Sequence, residues 1–144
     1  MKTLKLMLVL ILAGVFSQVN AQDRYLETTE YPKEITSYIE TNFPDSEIIS
    51  IKEEKERHKT EYEVKLRNME ELEFDEQYAI KSIESKSGLP DTVIPQKIRD
   101  YVTQNYPNRK IEEWKMKRRG QEIELDNDLE LIFDFDGNFV RVDD

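Results

Sequence analysis

His58 is the only side chain among these 144 residues that would ordinarily titrate near neutrality, and there is no cysteine. Thiol nucleophiles, disulfides and Cys/His zinc sites are therefore absent. A serine triad would rest on His58 alone. That residue stands in Glu56-Arg57-His58-Lys59, a charged stretch in a turn. A loop tip offers a general base neither an orienting partner nor a desolvated pocket. A solvated histidine is expected there, and no catalytic residue is assigned.

Carboxylates are the abundant alternative, with 31 Asp and Glu against 21 Lys and Arg. Asp126, Asp128 and Glu130, and separately Asp134 and Asp136, carry oxygens that suit a hard cation. The helix-loop-helix calcium loop needs acids at its positions one, three and five, glycine at six and glutamate at twelve. In Asp134-Phe135-Asp136-Gly137-Asn138 the glycine follows the second acid directly, so the register fails. Turn chemistry accounts for both clusters, and neither a metal nor a cofactor is expected. A glycosidase pair is defined by the separation of two carboxyl groups in space, which chain order does not supply.

Trp114-Lys115-Met116-Lys117-Arg118-Arg119 is the one basic run in an acidic chain. In a strand, Trp114 and Met116 share a face with Arg118, while Lys115, Lys117 and Arg119 share the other. Two readings stand: a core Trp and Met with a solvated rim of charge, or a contact surface, because Trp and Arg are enriched at binding hot spots. Ile132 adds to the second, being apolar on the parity otherwise held by Glu130 and Asp134. The candidate protein-binding residues are thus Trp114, Lys115, Lys117, Arg119 and Ile132, and the expected partner is a protein or peptide. A net charge of -10 argues against nucleic acid, whose capture needs Lys and Arg to displace counterions. It argues equally against an anionic membrane surface.

Residues 1–21 have the form of a secretory signal. Lys2 and Lys5 precede an apolar run from Leu6 to Phe16, and Val19 and Ala21 are the small residues before a cleavage point at Gln22. The run is too short to span a bilayer, so no membrane insertion is expected after cleavage. The location is periplasmic or secreted.

The elements that position these residues come in two copies. Thr29-Glu30-Tyr31-Pro32, Ile35, Tyr38-Ile39, Asn42-Phe43-Pro44 and Ile48 recur as Thr92-Val93-Ile94-Pro95, Ile98, Tyr101-Val102, Asn105-Tyr106-Pro107 and Ile111. Each copy opens with apolar positions at helical spacing, with Thr29 and Thr92 placed as N-caps and Pro32 and Pro95 in the first turn. Pro44 and Pro107 stop the helices. The period then changes to two: Tyr62, Val64 and Leu66 alternate with charged residues, as do Ile123, Leu125, Leu129, Leu131, Phe133 and Phe135. That pattern belongs to antiparallel strands with one buried face. The fold class is α+β: a helix followed by antiparallel strands, twice over, with both helices on one face of the sheet. Residues 22–84 make the first repeat, 85–91 a linker and 92–144 the second.

Leu89-Pro90-Asp91, Tyr101-Val102, Asn105-Tyr106-Pro107 and Ile111, followed by Phe133-Asp134-Phe135-Asp136-Gly137, resemble the PepSY-like family of secreted proteins. The resemblance covers both copies and implies a tandem repeat similar in fold to the β-lactamase-inhibitor protein. The first copy departs from the pattern, with Glu76-Gln77-Tyr78 where the second has Phe135-Asp136-Gly137. The expected function is an exported, non-catalytic binding module, a peptidase inhibitor or chaperone-like protein acting through the open sheet face. The alternatives are a hydrolase using clustered carboxylates and a calcium-dependent envelope component.

Overall fold

The structure, a computed structural model, describes residues 22–143. The signal-like segment 1–21 lies outside the described residues. Two helices, α1 (Lys33–Asn42) and α2 (Gln96–Asn105), accompany nine strands. These are β1 (Arg24–Tyr25), β2 (Ile48–Glu56), β3 (Lys59–Leu66), β4 (Glu71–Phe74), β5 (Ile80–Glu84), β6 (Ile111–Lys117), β7 (Gly120–Leu125), β8 (Glu130–Phe133) and β9 (Phe139–Asp143). The strands form one open antiparallel sheet in which spatial order follows chain order. α1 enters between β1 and β2, and α2 between β5 and β6.

The helix starts differ from the sequence expectation. Thr29 and Thr92 fall in short 3-10 turns, Thr28–Glu30 and Asp91–Val93, and do not cap the helices. Pro32 and Pro95 hold the N-cap positions instead, with extended ψ of 131° and 138°. Proline's locked φ ends the turn, and its carbonyl accepts the first helical bond, from Thr36 N–H at 3.1 Å and Arg99 N–H at 3.1 Å. Asn42 and Asn105 are the last residues of the two helices. Their side-chain amides donate back to the carbonyls of Tyr38 and Tyr101, at 3.0 and 2.9 Å.

Directly paired residues of an antiparallel sheet point the same way, so the strand registers define rows across it. One row runs Ile51, Val64, Leu72, Ile83, Trp114, Ile123, Leu131 and Val142 from β2 to β9. All but Val142 are buried, in one cluster with Ile35 and Ile39 of α1 and Ile98 and Val102 of α2. The helices therefore cover this face. Tyr38 meets Phe74 edge-on at 5.5 Å, and Tyr101 meets Phe133 in the same way at 5.5 Å. Both tyrosines are half-buried, so Tyr38→Ala and Tyr101→Ala should each cost about 2–3 kcal/mol, below the range for a fully enclosed ring. Urea unfolding measures this, and a negligible loss at either position contradicts its edge-on packing.

Residues 85–91 do not behave as a free linker. Ser85 is buried, its N–H donates to Glu112 O at 2.8 Å, and Leu89 N–H donates to Ile111 O at 2.7 Å. These bonds extend the seam in which Ser82, Ile83 and Glu84 of β5 face Lys115, Trp114 and Glu113 of β6. The sheet passes through the middle of the chain without a break.

The hairpin between β4 and β5 closes despite its missing glycine. Tyr78 takes the left-handed conformation at φ 62°, the role that Gly137 has at φ 80° between β8 and β9. Asp75 N–H donates to Ala79 O at 2.9 Å, and Asp134 N–H to Asn138 O at 2.9 Å. In both turns the aspartate side chain accepts backbone N–H groups across the loop, which stabilises the shape that glycine would adopt more freely.

Candidate functional site: the open face of the sheet

The side chains of opposite parity point away from the helices. One row on this face reads Lys65, Glu71, Glu84, Glu113, Glu124, Glu130 and Asp143, one residue from each strand β3 to β9. Six acids thus stand at consecutive cross-strand positions. The neighbouring row reads Lys52, Glu63, Glu73, Ser82, Lys115, Glu122, Ile132 and Arg141. Where its small member Ser82 leaves room, a basin of about 190 Å³ opens, lined by Glu63, Glu71, Glu73, Glu84, Glu113, Ser82 and Lys115.

Like charges directly opposite each other destabilise a sheet. Part of the repulsion is relieved by lysines: Lys65 lies 3.2 Å from Glu63 and 3.4 Å from Glu71, Lys86 lies 3.4 Å from Glu84, and Lys115 lies 2.7 Å from Glu113. Among the described residues Glu124 and Glu130 form no ion pair. Partial burial, and then the facing carboxylate of Glu113, hold Glu124 above the ordinary carboxylate range. A carboxyl group whose pKa is raised on folding binds its proton more tightly in the folded state, so ionising it costs stability as pH rises through that pKa. Glu124→Gln should therefore stabilise the protein at pH 7 by about 0.5 kcal/mol, the size of a solvent-screened cross-strand pair. The gain should vanish below the ordinary glutamate pKa, where wild type is also neutral. Paired melts at two pH values test this, and an equal gain at both would exclude a charge effect.

The residues expected to form a binding surface are divided by the structure. Lys115, Lys117 and Ile132 lie on the open face, with Lys115 and Ile132 each directly opposite Glu122 on adjacent strands. Lys117 Nζ reaches Glu122 at 3.0 Å. Arg119 is exposed in the turn after β6, which ends at Lys117, so strand parity does not extend to it. Trp114 is 4% exposed and sits in the core beneath the helices. Its indole N–H donates to Gln121 Oε1 at 3.0 Å, and the Gln121 amide donates to the carbonyls of Asp134 and Phe135 at 3.2 and 3.3 Å. Trp114 is thus corrected from surface candidate to core residue: the sidedness of the sheet puts its parity inward. Met116, next on that parity, is 42% exposed at the strand end.

His58 is exposed in the β2–β3 turn. Asp134 spends its carboxylate on the turn, accepting from the Asn138 N–H and side-chain amide at 2.8 and 2.9 Å, and these bonds hold it below the usual range. Among the described residues no group of three or more Asp, Glu or His is arranged to hold a metal ion. A larger cavity of about 610 Å³ lies among the C-terminal end of α1, the 85–91 segment and α2, and its lining includes Asn42, Glu70, Leu89, Arg99 and Val102. Glu70 is buried and accepts from Ser46 Oγ at 3.0 Å. No helix among the described residues is long and apolar enough to cross a membrane.

The acidic row escaped the sequence reading. Its hairpin pairs, Glu113 with Glu124 and Glu124 with Glu130, follow from outward parity and turn position. The contact of Glu84 with Glu113 joins residues 29 positions apart across a helix, and no local signal reports it.

The family model described as "Putative beta-lactamase-inhibitor-like, PepSY-like" matches the chain twice, over residues 13–82 and 71–141. Three solved structures share the fold. A "putative periplasmic protein of unknown function" from Bacteroides vulgatus is 32% identical, with TM-score 0.80, covering 85% of this chain and 100% of that one. A "putative calcium-regulated periplasmic protein" from Bacteroides thetaiotaomicron is 30% identical, with TM-score 0.79, covering 85% and 97%. A second "putative periplasmic protein" from Bacteroides vulgatus is 28% identical, with TM-score 0.77, covering 85% and 97%. No curated protein matches the sequence. Neither the family description nor these neighbours indicates an enzymatic role.

Proposed function

The chain belongs to the PepSY-like, β-lactamase-inhibitor-like family, and from that membership we propose that it is an exported binding protein whose open sheet face holds a basic segment of a protein partner, in the manner of an inhibitor or holding module. The observation that carries this reading is the row of six acids on the uncovered side of the sheet. Such a row costs folding stability, and a Lys- or Arg-bearing partner would recover that cost on binding. Lys115, Lys117 and Ile132 would border the contact and fix its orientation, with Arg119 at its rim. The two family matches support reading residues 22–84 and 92–144 as copies of one unit fused at the β5–β6 seam. The periplasmic neighbours support export, with cleavage between Ala21 and Gln22, which N-terminal sequencing of the exported protein would decide.

Affinity capture from the source envelope tests the face directly when wild type is compared with two charge reversals. Glu84→Lys with Glu113→Lys reverses the centre of the acidic row, while Glu34→Lys with Glu40→Lys reverses the exposed side of α1. A protein retained by wild type and by the α1 variant but lost from the sheet variant is the expected result. Equal retention by both variants, or nothing retained at low salt with crosslinking, overturns the reading.

A further inference from the structure

β9 is an open edge, and the chain itself contains a measure of what such a strand lacks. β5 and β9 hold the same register against the strands before them: Leu72 faces Ile83 and Phe74 faces Ile80, as Leu131 faces Val142 and Phe133 faces Phe139. β5 is covered on its other side by β6, and Ile83, lying against Trp114, is 0% exposed. Among the described residues no strand pairs with the other side of β9, and its Val142 is 38% exposed. Phe139, Val140 and the nearby Phe135 are exposed with it. At the opposite end of the sheet β1 covers β2, and Leu26, whose N–H donates to Ile51 O at 2.9 Å, is buried. The first edge strand, β1, is only two residues long, whereas the last, β9, is five residues long, and its backbone donors and acceptors adjoin exposed apolar side chains.

We infer that β9 pairs antiparallel with β9 of a second copy of this chain, about a two-fold axis at Val142. The charges of the strand select that register. Arg141 and Asp143 share the open face, two residues apart, and lie 3.1 Å from each other within the strand. A two-fold axis at Val142 sets each copy's Arg141 opposite Asp143 of the other and brings the two Val142 side chains together on the helix side. An axis at Arg141 would oppose two arginines. An axis at Val140 would set Phe139 against Arg141. A two-fold perpendicular to the sheet also keeps all four helices on one side, and it sets the acidic row of each copy, ending at Asp143, in line with the row of the other copy that ends at Arg141. The contact is one strand wide, and the association is accordingly weak and dependent on concentration. It does not require the partner proposed above.

Sedimentation velocity of the protein over rising concentration should show monomer passing to dimer. Arg141→Asp alone and Asp143→Arg alone should each weaken the dimer by about tenfold or more, because each places like charges opposite one another twice. The combined swap Arg141→Asp with Asp143→Arg should restore it. Val142→Lys should abolish it. Both charges are exposed or half-exposed, so unchanged melting of the charge variants will verify that the fold is kept. A protein monomeric at every concentration, a dimer indifferent to the single reversals, or a swap that fails to restore association each overturns the inference.

Discussion

Trp114→Ala lowers the free energy of unfolding by about 3–5 kcal/mol, the range for emptying a large aromatic site in a core. Trp114 lies between Ile83 and Ile123 in the buried row, at the seam where the two halves of the sheet meet. The substitution therefore removes packing from β5, β6 and β7 together. It also leaves Gln121, itself buried, with an acceptor that nothing satisfies. Trp114→Phe separates the two contributions, because it keeps most of the ring volume and loses only the N–H. That variant should cost about 1–3 kcal/mol, the penalty for one buried group left without its partner. Urea midpoints measure both. If Trp114→Ala left stability unchanged while partner capture fell, the side chain would be acting at a surface after all and the core assignment would be wrong.

Gly120→Ala is expected to cost about 3 kcal/mol or more, unusual for the addition of a single methyl. Gly120 begins β7 at φ 148°, and a Cβ placed there would stand 2.1 Å from the backbone oxygen of Phe133 and 3.1 Å from the Cα of Asp134. Backbone in a neighbouring strand cannot swing aside as a side chain can, so β7 and β8 must part where Gln121 faces Phe133. Gly88→Ala provides the comparison. Gly88 has φ 98°, but its nearest neighbours would be the flexible side chain of Lys110, from 3.4 Å. Only the left-handed backbone penalty of about 1 kcal/mol then remains. Thermal melts of the two variants should differ clearly, and equal losses would show that the approach of β8 to Gly120 is not as close as described.

Much of this protein follows from chain order alone. Ile35 and Ile39, and Ile98 and Val102, are spaced for one side of a helix, and prolines delimit both segments. Tyr62, Val64 and Leu66, like Ile123 and Leu125, alternate as a half-buried strand must, because successive residues of a strand point to opposite faces. The same alternation already separates Trp114 from Lys115 and Lys117. What it leaves open is which parity faces the helices, and burial of Trp114 was decided only when the helices settled on one side of the sheet. Periodicity is also silent on which strand lies beside which. Glu84 and Glu113 come together because β5 and β6 pair across α2, and that pairing turns scattered outward glutamates into one row with a basin at Ser82. The same pairing covers Ile83, whereas its counterpart Val142, on the last described strand of the sheet, is left partly exposed. Side-chain direction is a local property of each strand, set by backbone geometry. Neighbours and register depend on how the whole chain closes around its core, and the charge surface and the open edge of this protein depend on them.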